Sequence, residues 1–276
     1  MSTIVTDHKI SDEELKSLAT AIKTRYGIDF TNYEIKSLKR GFGRLINKHQ
    51  MTSLIDLWSA ILKDKEFFLG CIDDLTVNLT EMFRNPEVWI FLQKLLKKKH
   101  SKQAKVKIWH TGCSTGEEVY SMYYIIHSLM LTFKSKVIAT DLSPMALNTA
   151  KEGKYFGVQA NKYARNFGKA FPKGDWSSIF EEIPTGIKIK DRIKRSIEFY
   201  THNLTKDEFP EEVDIIFCRN VMIYFDNDLK SKVLIKFHKA LKPNGLLVVG
   251  YYDMMPEGFQ EFFHVYDNRT KIYIKV

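Results

Sequence analysis

The chain has 276 residues, of which 44% are hydrophobic and 27% are charged, as is typical of a folded globular protein with a buried core. No stretch approaches eighteen apolar residues and the first residues lack a signal-peptide pattern, so we expect neither membrane insertion nor export. Three cysteines without metal-ligand spacing predict no metal site and a cytoplasmic location. The formal net charge of +9 fits either scattered solvated lysines or a basic surface for an acidic partner.

The first 75 residues have the pattern of helices only. Ser11, followed by three acidic residues, is a helix N-cap signal, and the apolar residues that follow recur with a helical period. Four basic residues recur every four positions along one face of a predicted helix: Lys36, Arg40, Arg44 and Lys48. We predict a helical N-terminal domain, residues 1–75, whose basic face docks on an acidic partner.

From about residue 104, short apolar runs alternate with amphipathic helices. The runs are VKIWH (106–110), VIAT (137–140), VDIIFC (213–218) and GLLVVG (245–250). Such alternation predicts βαβ units and a mostly parallel sheet, and the segments FFHVYDN and KIYIKV predict a closing antiparallel hairpin. We therefore expect an α/β domain over 104–276, joined to the helical domain by a linker over 76–103.

The segment from about 155 to 200 interrupts this alternation. It is rich in glycine, and basic and aromatic residues are mixed through it. Two interpretations stay open from the sequence: a small subdomain inserted ahead of the strand SIEFY (196–200), or a long irregular crossover.

The sharpest local signal is WHTGCSTGEE (109–118), in which a strand runs into Gly112 and Gly116 and a helix follows at once. Glycine permits a tight turn and a close approach of a ligand to the backbone. A simple tight connection between strand and helix explains the glycines equally well. Glu118, in the first helical turn, either complements the helix N-terminus or holds a cationic group of a ligand.

Two further polar positions follow predicted strands. Asp141 ends VIATD, where a carboxylate can accept hydrogen bonds from both ribose hydroxyls; a helix-cap role is less needed because Ser143 supplies that signal. Arg219 and Asn220 follow VDIIFC, at the strand end where open α/β sheets bind ligands, although a structural ion pair would also explain the arginine. Tyr224 either presents its hydroxyl to a reacting group or packs in the core.

Together these segments resemble the CheR family of chemotaxis receptor methyltransferases over roughly residues 75–250. The motifs that carry the resemblance are LTVNLTEMFRNPEVW (75–89), GCSTGEE (112–118), ATD (139–141), the Asn203-Leu204 pair and FCRNVMIYFD (217–226). The resemblance implies a class I methyltransferase fold with a Rossmann-like sheet. It also implies S-adenosylmethionine as methyl donor, S-adenosylhomocysteine as product and receptor glutamates as methyl acceptors.

The resemblance also implies roles for particular residues. Residues expected to bind the cofactor are Asn78, Thr80, Arg84, Gly112, Glu118, Asp141, Asn203, Leu204, Arg219 and Asn220. Arg84 is expected near the methyl-transfer centre, and Tyr224 to orient the substrate. The partner implied is the helical cytoplasmic region of a methyl-accepting chemoreceptor, with the N-terminal domain docking on it; in some relatives the insert also binds a receptor tether. We expect a monomer.

Departures from the family pattern concern the substrate side more than the cofactor side. Val119 stands where the family usually has proline, and Met82 where it usually has an aromatic residue. Tyr251-Tyr252-Asp253 stands where the family commonly has His-Ser-Glu. The resemblance therefore does not define this local wall of the substrate cleft.

Two rival functions remain. A nucleic-acid methyltransferase would fit the positive charge, but Asn220 is followed by Val221-Met222 and not by the Pro-Pro-aromatic run of base-methylating enzymes, so we expect no nucleic-acid partner. A relative that binds the cofactor only as a sensor or receptor scaffold is the second alternative, as is methylation of another acceptor protein.

Overall fold

The computed structural model describes residues 10–75, 80–99 and 105–276, which form a helical N-terminal part and a larger α/β part. Among the described residues, no helix is both long and apolar enough to cross a membrane. The helices of the N-terminal part are α1 (Asp12–Tyr26), α2 (Ile35–Lys48), α3 (Leu54–Lys63) and α4 (Lys65–Leu75).

The helical part follows from its capping signals and its apolar periodicity. Helix α1 begins with a reciprocal capping box, in which Ser11 accepts from the Glu14 N–H and the Glu14 carboxylate accepts from the Ser11 N–H. It ends at Gly27, whose left-handed φ of 71° is accessible to glycine at little cost. The apolar faces of the four helices pack together into a core of their own.

The α/β part is preceded by α5 (Pro86–Lys99) and contains a central sheet with helices. Its strands are β1 (Val106–Thr111), β2 (Ser135–Asp141), β6 (Ile197–Thr201), β7 (Val213–Cys218), β8 (Leu241–Val249), β9 (Phe263–Asp267) and β10 (Ile272–Lys275). The helices between them are α6 (Glu117–Ser128), α7 (Pro144–Glu152) and α10 (Asn227–Ala240). The predicted alternation of strands and helices is therefore present.

The seven-stranded sheet has the strand order β6-β2-β1-β7-β8-β10-β9. The strands from β6 to β8 pair in parallel, whereas β10 pairs antiparallel with both β8 and β9. The predicted parallel sheet with an antiparallel C-terminal hairpin is thus confirmed. The order reverses direction at β1 and β7, which creates a crevice at their carboxyl ends.

The segment between α7 and β6 folds as a unit with its own sheet. Its elements are β3 (Lys154–Phe156), α8 (Gly157–Ala170), β4 (Phe180–Ile183), β5 (Gly186–Ile189) and α9 (Asp191–Lys194). The three strands pair antiparallel in the order β3-β5-β4. Glycine is required at position 186, where β5 pairs with β3, because a Cβ there would lie 2.0 Å from the Tyr155 carbonyl oxygen. An inserted subdomain, not an irregular crossover, occupies this part of the chain.

Candidate active site

A cleft with a cavity of about 260 Å³ opens at the carboxyl ends of β1 and β7. It unites every described residue that the sequence predicted for the cofactor or for catalysis: Thr80, Arg84, Gly112, Glu118, Asp141, Asn203, Leu204, Arg219, Asn220 and Tyr224. The remaining predicted residue, Asn78, lies outside the described residues. Segments up to 144 positions apart in the chain therefore meet in one place, at the reversal of strand order.

The turn between β1 and α6 brings backbone close to the cleft. Gly112 has a φ of 61°, and a Cβ there would lie 2.4 Å from Cγ2 of Val221. Gly116, with a φ of 92°, packs so closely on α7 that a Cβ would lie 2.9 Å from Cβ of Ala150. The glycines therefore make the connection tight and also let the loops after β1 and β7 approach each other at the cleft.

The Asp141 carboxylate already accepts hydrogen bonds from the protein, so fewer of its lone pairs are available to a ligand than the sequence indicated. Its Oδ2 accepts from the Ser114 N–H at 2.7 Å, and its Oδ1 accepts from the Ser143 N–H at 2.9 Å. Ser143 caps α7, as predicted, through its own hydroxyl. Because each carboxylate oxygen has two lone pairs, Asp141 can hold both turns in place and still accept from a ligand.

Glu118 and Arg219 form the ion pair that the sequence left as an alternative for the arginine. Arg219 Nη1 lies 3.3 Å from Glu118 Oε2, and His110 Nδ1 lies 2.9 Å from Glu118 Oε1. Burial raises the pKa of Glu118, but the hydrogen bond from His110 and the charge of Arg219 outweigh it and hold that pKa below its usual value. Glu118 is therefore an anion at neutral pH inside the cleft.

Arg84 stands on a turn that buried contacts constrain. The preceding Phe83 is fully buried in a left-handed conformation with a φ of 53°, and its N–H donates to Ser121 Oγ at 2.8 Å. The Arg84 carbonyl oxygen accepts from Trp89 Nε1 at 2.9 Å and from Arg219 Nη2 at 3.4 Å. The backbone of Arg84 is thus fixed from two sides, while its half-buried side chain lines the cleft.

Tyr224 lies where the helical part meets the α/β part. Its carbonyl oxygen accepts from the Glu34 N–H at 2.8 Å, and the Asp226 N–H donates to the Asn32 carbonyl oxygen at 2.9 Å. These bonds form an antiparallel bridge, centred on Tyr33, that carries the Tyr33 side chain into the cleft. Sequence reasoning missed Tyr33, since no motif marks it and its position depends on how the two parts pack.

The segment after β8, Tyr251-Tyr252-Asp253, is hydrogen-bonded to the loop after β7. Asp253 accepts from the backbone N–H groups of Asn220 and Gly250, both at 2.7 Å, and of Ile223 at 3.0 Å. Burial raises the pKa of Asp253, outweighing these three bonds and the charge of Arg219. Tyr252 is 76% exposed and lines the cleft mouth. This wall therefore organises the loop after β7.

Sequence reasoning omitted other lining residues, most of which adjoin predicted ones. They are Glu81, Cys113, Ser114, Leu142, His202, Thr205, Val221, Ile223 and Phe225. These residues could have been found from the sequence, because they belong to the same motifs as the predicted residues or lie next to Asp141 or Asn203. Tyr252 lies in the segment predicted to form a wall of the substrate cleft, whereas no sequence signal marked Tyr33.

The basic stripe lies on α2, away from the cleft lining. Lys36, Arg40, Arg44 and Lys48 are all exposed. Within the stripe, Arg44 donates to the Asp74 carbonyl oxygen at 2.7 Å, and Lys48 pairs with the Asp74 carboxylate at 2.6 Å. The C-terminal half of the stripe is therefore partly engaged with α4.

Comparison with known proteins identifies the family of the chain. The family model "CheR methyltransferase, SAM binding domain" matches residues 78–272, and "CheR methyltransferase, all-alpha domain" matches residues 13–76. "Putative methyltransferase Cher3" of Pseudomonas putida is 30% identical over 89% of this chain and 90% of its own. "Chemotaxis protein methyltransferase 1" of Vibrio cholerae is 30% identical over 87% and 89%, and the Listeria monocytogenes "Chemotaxis protein methyltransferase" is 28% identical over 83% and 85%. The chain belongs to the CheR methyltransferase family, whose enzymes use S-adenosylmethionine.

Proposed function

We propose that the protein transfers a methyl group from S-adenosylmethionine to glutamate side chains on chemoreceptor cytoplasmic helices, forming methyl esters that serve chemotactic adaptation. The observation that carries the proposal is the gathering of ten motif residues, Arg84 and Tyr224 among them, in one cleft. Relatives named chemotaxis protein methyltransferases, which align with most of this chain, support the biological context.

The residues of the cleft fit the cofactor. Glu118 offers an anion for the ammonium group, and Asp141 offers acceptors for the ribose hydroxyls. Ser114 Oγ lines the cleft and is buried without a hydrogen-bond partner among the described residues, as expected of a group that awaits a polar ligand. Residues proposed to complete the cofactor site are Asn78, Thr80, Gly112, Asn203, Leu204, Arg219 and Asn220.

The proposed chemistry needs no general base. The cofactor supplies a methyl group activated by a cationic sulfonium. An acceptor glutamate has an ordinary pKa of about 4.3, so it is already an anion at neutral pH and can attack directly. The protein's task is then to position the carboxylate and exclude water. We assign the orienting fork of N–H donors to Arg84, with Tyr224 beside it.

Helix α2 supports the proposed receptor contact. It begins one residue after Glu34, whose N–H donates to the Tyr224 carbonyl oxygen, so Lys36 is the member of the basic stripe nearest the cleft along the chain. No salt bridge to Lys36 or Arg40 occurs within the part of the chain that the structure describes. Exposed cations on a helix that begins next to a cleft-lining segment suit an acidic helical substrate.

Incubation with methyl-labelled S-adenosylmethionine and receptor-bearing membranes, followed by mild alkali, tests the proposal. We expect alkali-labile label on the receptor, and a rate lower by roughly 100-fold in Arg84→Ala, because the acceptor carboxylate loses its orienting group. Arg25→Ala, at an exposed arginine of α1, is the matched control and should methylate like the wild type.

Two results would contradict the proposal. Cofactor binding without receptor label would favour a sensor, a scaffold or a different acceptor protein. Full activity in Arg84→Ala would remove Arg84 from the reaction.

A further inference from the structure

His110 is a buried ionisable residue that the proposed chemistry does not use. It lies in β1 and is 0% exposed. Its ring stacks on Phe217 of the adjacent strand β7, with ring centroids 4.3 Å apart and planes 15° apart. Its Nδ1 lies 2.9 Å from Glu118 Oε1. His110 therefore connects a buried central strand to the anionic Glu118 of the cleft.

The two ring nitrogens of His110 have different surroundings. Nε2 is buried and has no hydrogen-bond partner among the described residues. Glu118 is an anion that can only accept hydrogen bonds, so Nδ1 carries a proton and His110 donates to Glu118 Oε1.

The second oxygen of Glu118 is held from the opposite side. Arg219 Nη1 lies 3.3 Å from Oε2, while Arg219 Nη2 donates to Asn85 Oδ1 at 2.9 Å. The guanidinium also lies over the Trp89 ring, 5.7 Å from its centroid. Because both oxygens of Glu118 have a donor, the orientation of the carboxylate is determined, and its remaining lone pairs stay available to a ligand.

We propose that His110 is a positioning residue for the amino-acid end of the cofactor. By donating to Oε1, it holds the Glu118 carboxylate in the orientation that accepts the ligand's ammonium group. The inference rests on the Glu118 contact proposed above, and it adds a residue that is not among those expected to bind the cofactor.

The proposal predicts a defined kinetic pattern. The ammonium group takes no part in methyl transfer, so its contact with Glu118 is equally strong in the ground state and in the transition state. Loss of such a uniform contact raises the KM for S-adenosylmethionine and leaves kcat unchanged. The product S-adenosylhomocysteine carries the same ammonium group and should lose affinity by the same factor.

Two substitutions separate the hydrogen bond from the packing of the ring. His110→Phe preserves an aromatic ring against Phe217 but removes the donor, whereas His110→Asn retains a donor at the position of Nδ1 and loses the ring. Calorimetric titration with S-adenosylhomocysteine should show a Kd raised about tenfold in His110→Phe, the effect expected when the ligand's ammonium group loses one hydrogen bond to a misoriented Glu118, with recovery in His110→Asn.

5′-Methylthioadenosine is the control ligand, because it lacks the amino-acid end. Its Kd should be the same in the wild type and in both variants. Equal loss of affinity for both ligands in His110→Phe would overturn the proposal, since His110 would then only support the fold. Unchanged affinity for both ligands would overturn it as well.

Glu118→Gln distinguishes a failure of this inference from a failure of its premise. If that variant binds S-adenosylhomocysteine as the wild type does, the contact between Glu118 and the ammonium group is wrong and the role of His110 falls with it. If Glu118→Gln is selectively impaired but His110→Phe is not, only the role of His110 is wrong. Both results are independent of which protein accepts the methyl group.

Discussion

A single carboxylate, that of Asp253, organises the loop that carries Arg219 and Asn220. Three backbone N–H groups donate to it, from Asn220, Ile223 and Gly250. Asn220 has a left-handed φ of 61°, a conformation that needs support from its neighbours. Asp253 therefore holds the loop after β7 in place, although it lies in the segment whose sequence departs most from the family pattern.

We predict that Asp253→Ala lowers the free energy of unfolding by about 2–5 kcal/mol, because several buried N–H groups lose their acceptor. It should also weaken S-adenosylhomocysteine binding, since the loop after β7 lines the cleft. Urea denaturation and calorimetric titration measure the two effects. Asp228→Ala, at an exposed aspartate in the first turn of α10, is the control, with an expected loss below about 1 kcal/mol. Equal stability of the two variants would contradict this role.

Among the elements, the connection between β1 and α6 shows how backbone conformation makes room for the site. Gly112 combines a positive φ with a place where a Cβ would overlap Val221, a residue of the loop after β7. Gly43, in the middle of α2, has no atom within 4 Å of an added Cβ. A side chain at position 112 would therefore strain the backbone and clash, whereas one at position 43 has room.

We expect Gly112→Ala to lower S-adenosylhomocysteine affinity by at least about tenfold and to reduce Tm, because the alanine strains its own backbone and displaces the loop after β7. Gly43→Ala should instead raise the free energy of unfolding by about 0.5–1 kcal/mol, the helix-propensity difference between the residues, without changing affinity. Thermal denaturation and calorimetry test both. Wild-type affinity in Gly112→Ala would show that the turn does not shape the cleft.

At the scale of the whole molecule, the helical part and the sheet join at the bridge between Tyr33 and Phe225. Tyr33 packs against both the helical core and the core around β7. The bridge places the start of α2 beside the segment that carries Tyr224. The proposed docking face therefore lies on a helix whose N-terminal end is bonded to the segment of the proposed reaction site.

We predict that Lys36→Glu combined with Arg40→Glu raises the KM for receptor-bearing membranes about tenfold at low salt, and by less at high salt, because screening weakens exposed charge pairs. Affinity for S-adenosylhomocysteine should stay the same. The control is Lys97→Glu with Lys98→Glu on α5, which also changes the formal net charge from +9 to +5. A similar rise in KM in the control would mean that total charge, not the α2 face, controls docking.

The type of sheet and the residues at its reactive edge could be read from local sequence patterns. Buried strands such as β7 are apolar at nearly every position, with Asp214 as the exception in β7, because both of their faces are covered, and that pattern is local. Residues that follow parallel strands must share one edge, so Gly112, Asp141 and Arg219 could be assigned to one cleft before any contact was known.

Which groups contact each other across that edge depends on how distant segments pack. Glu118 meets Arg219 across 101 positions, Asp253 meets Asn220 across 33, and Tyr33 enters the cleft from a separate core. The left-handed turn at Phe83 and the sheet of the insert are likewise products of packing. Such contacts depend on the register of strands and the paths of loops, which are set by the summed packing of distant segments and leave no local pattern in the sequence.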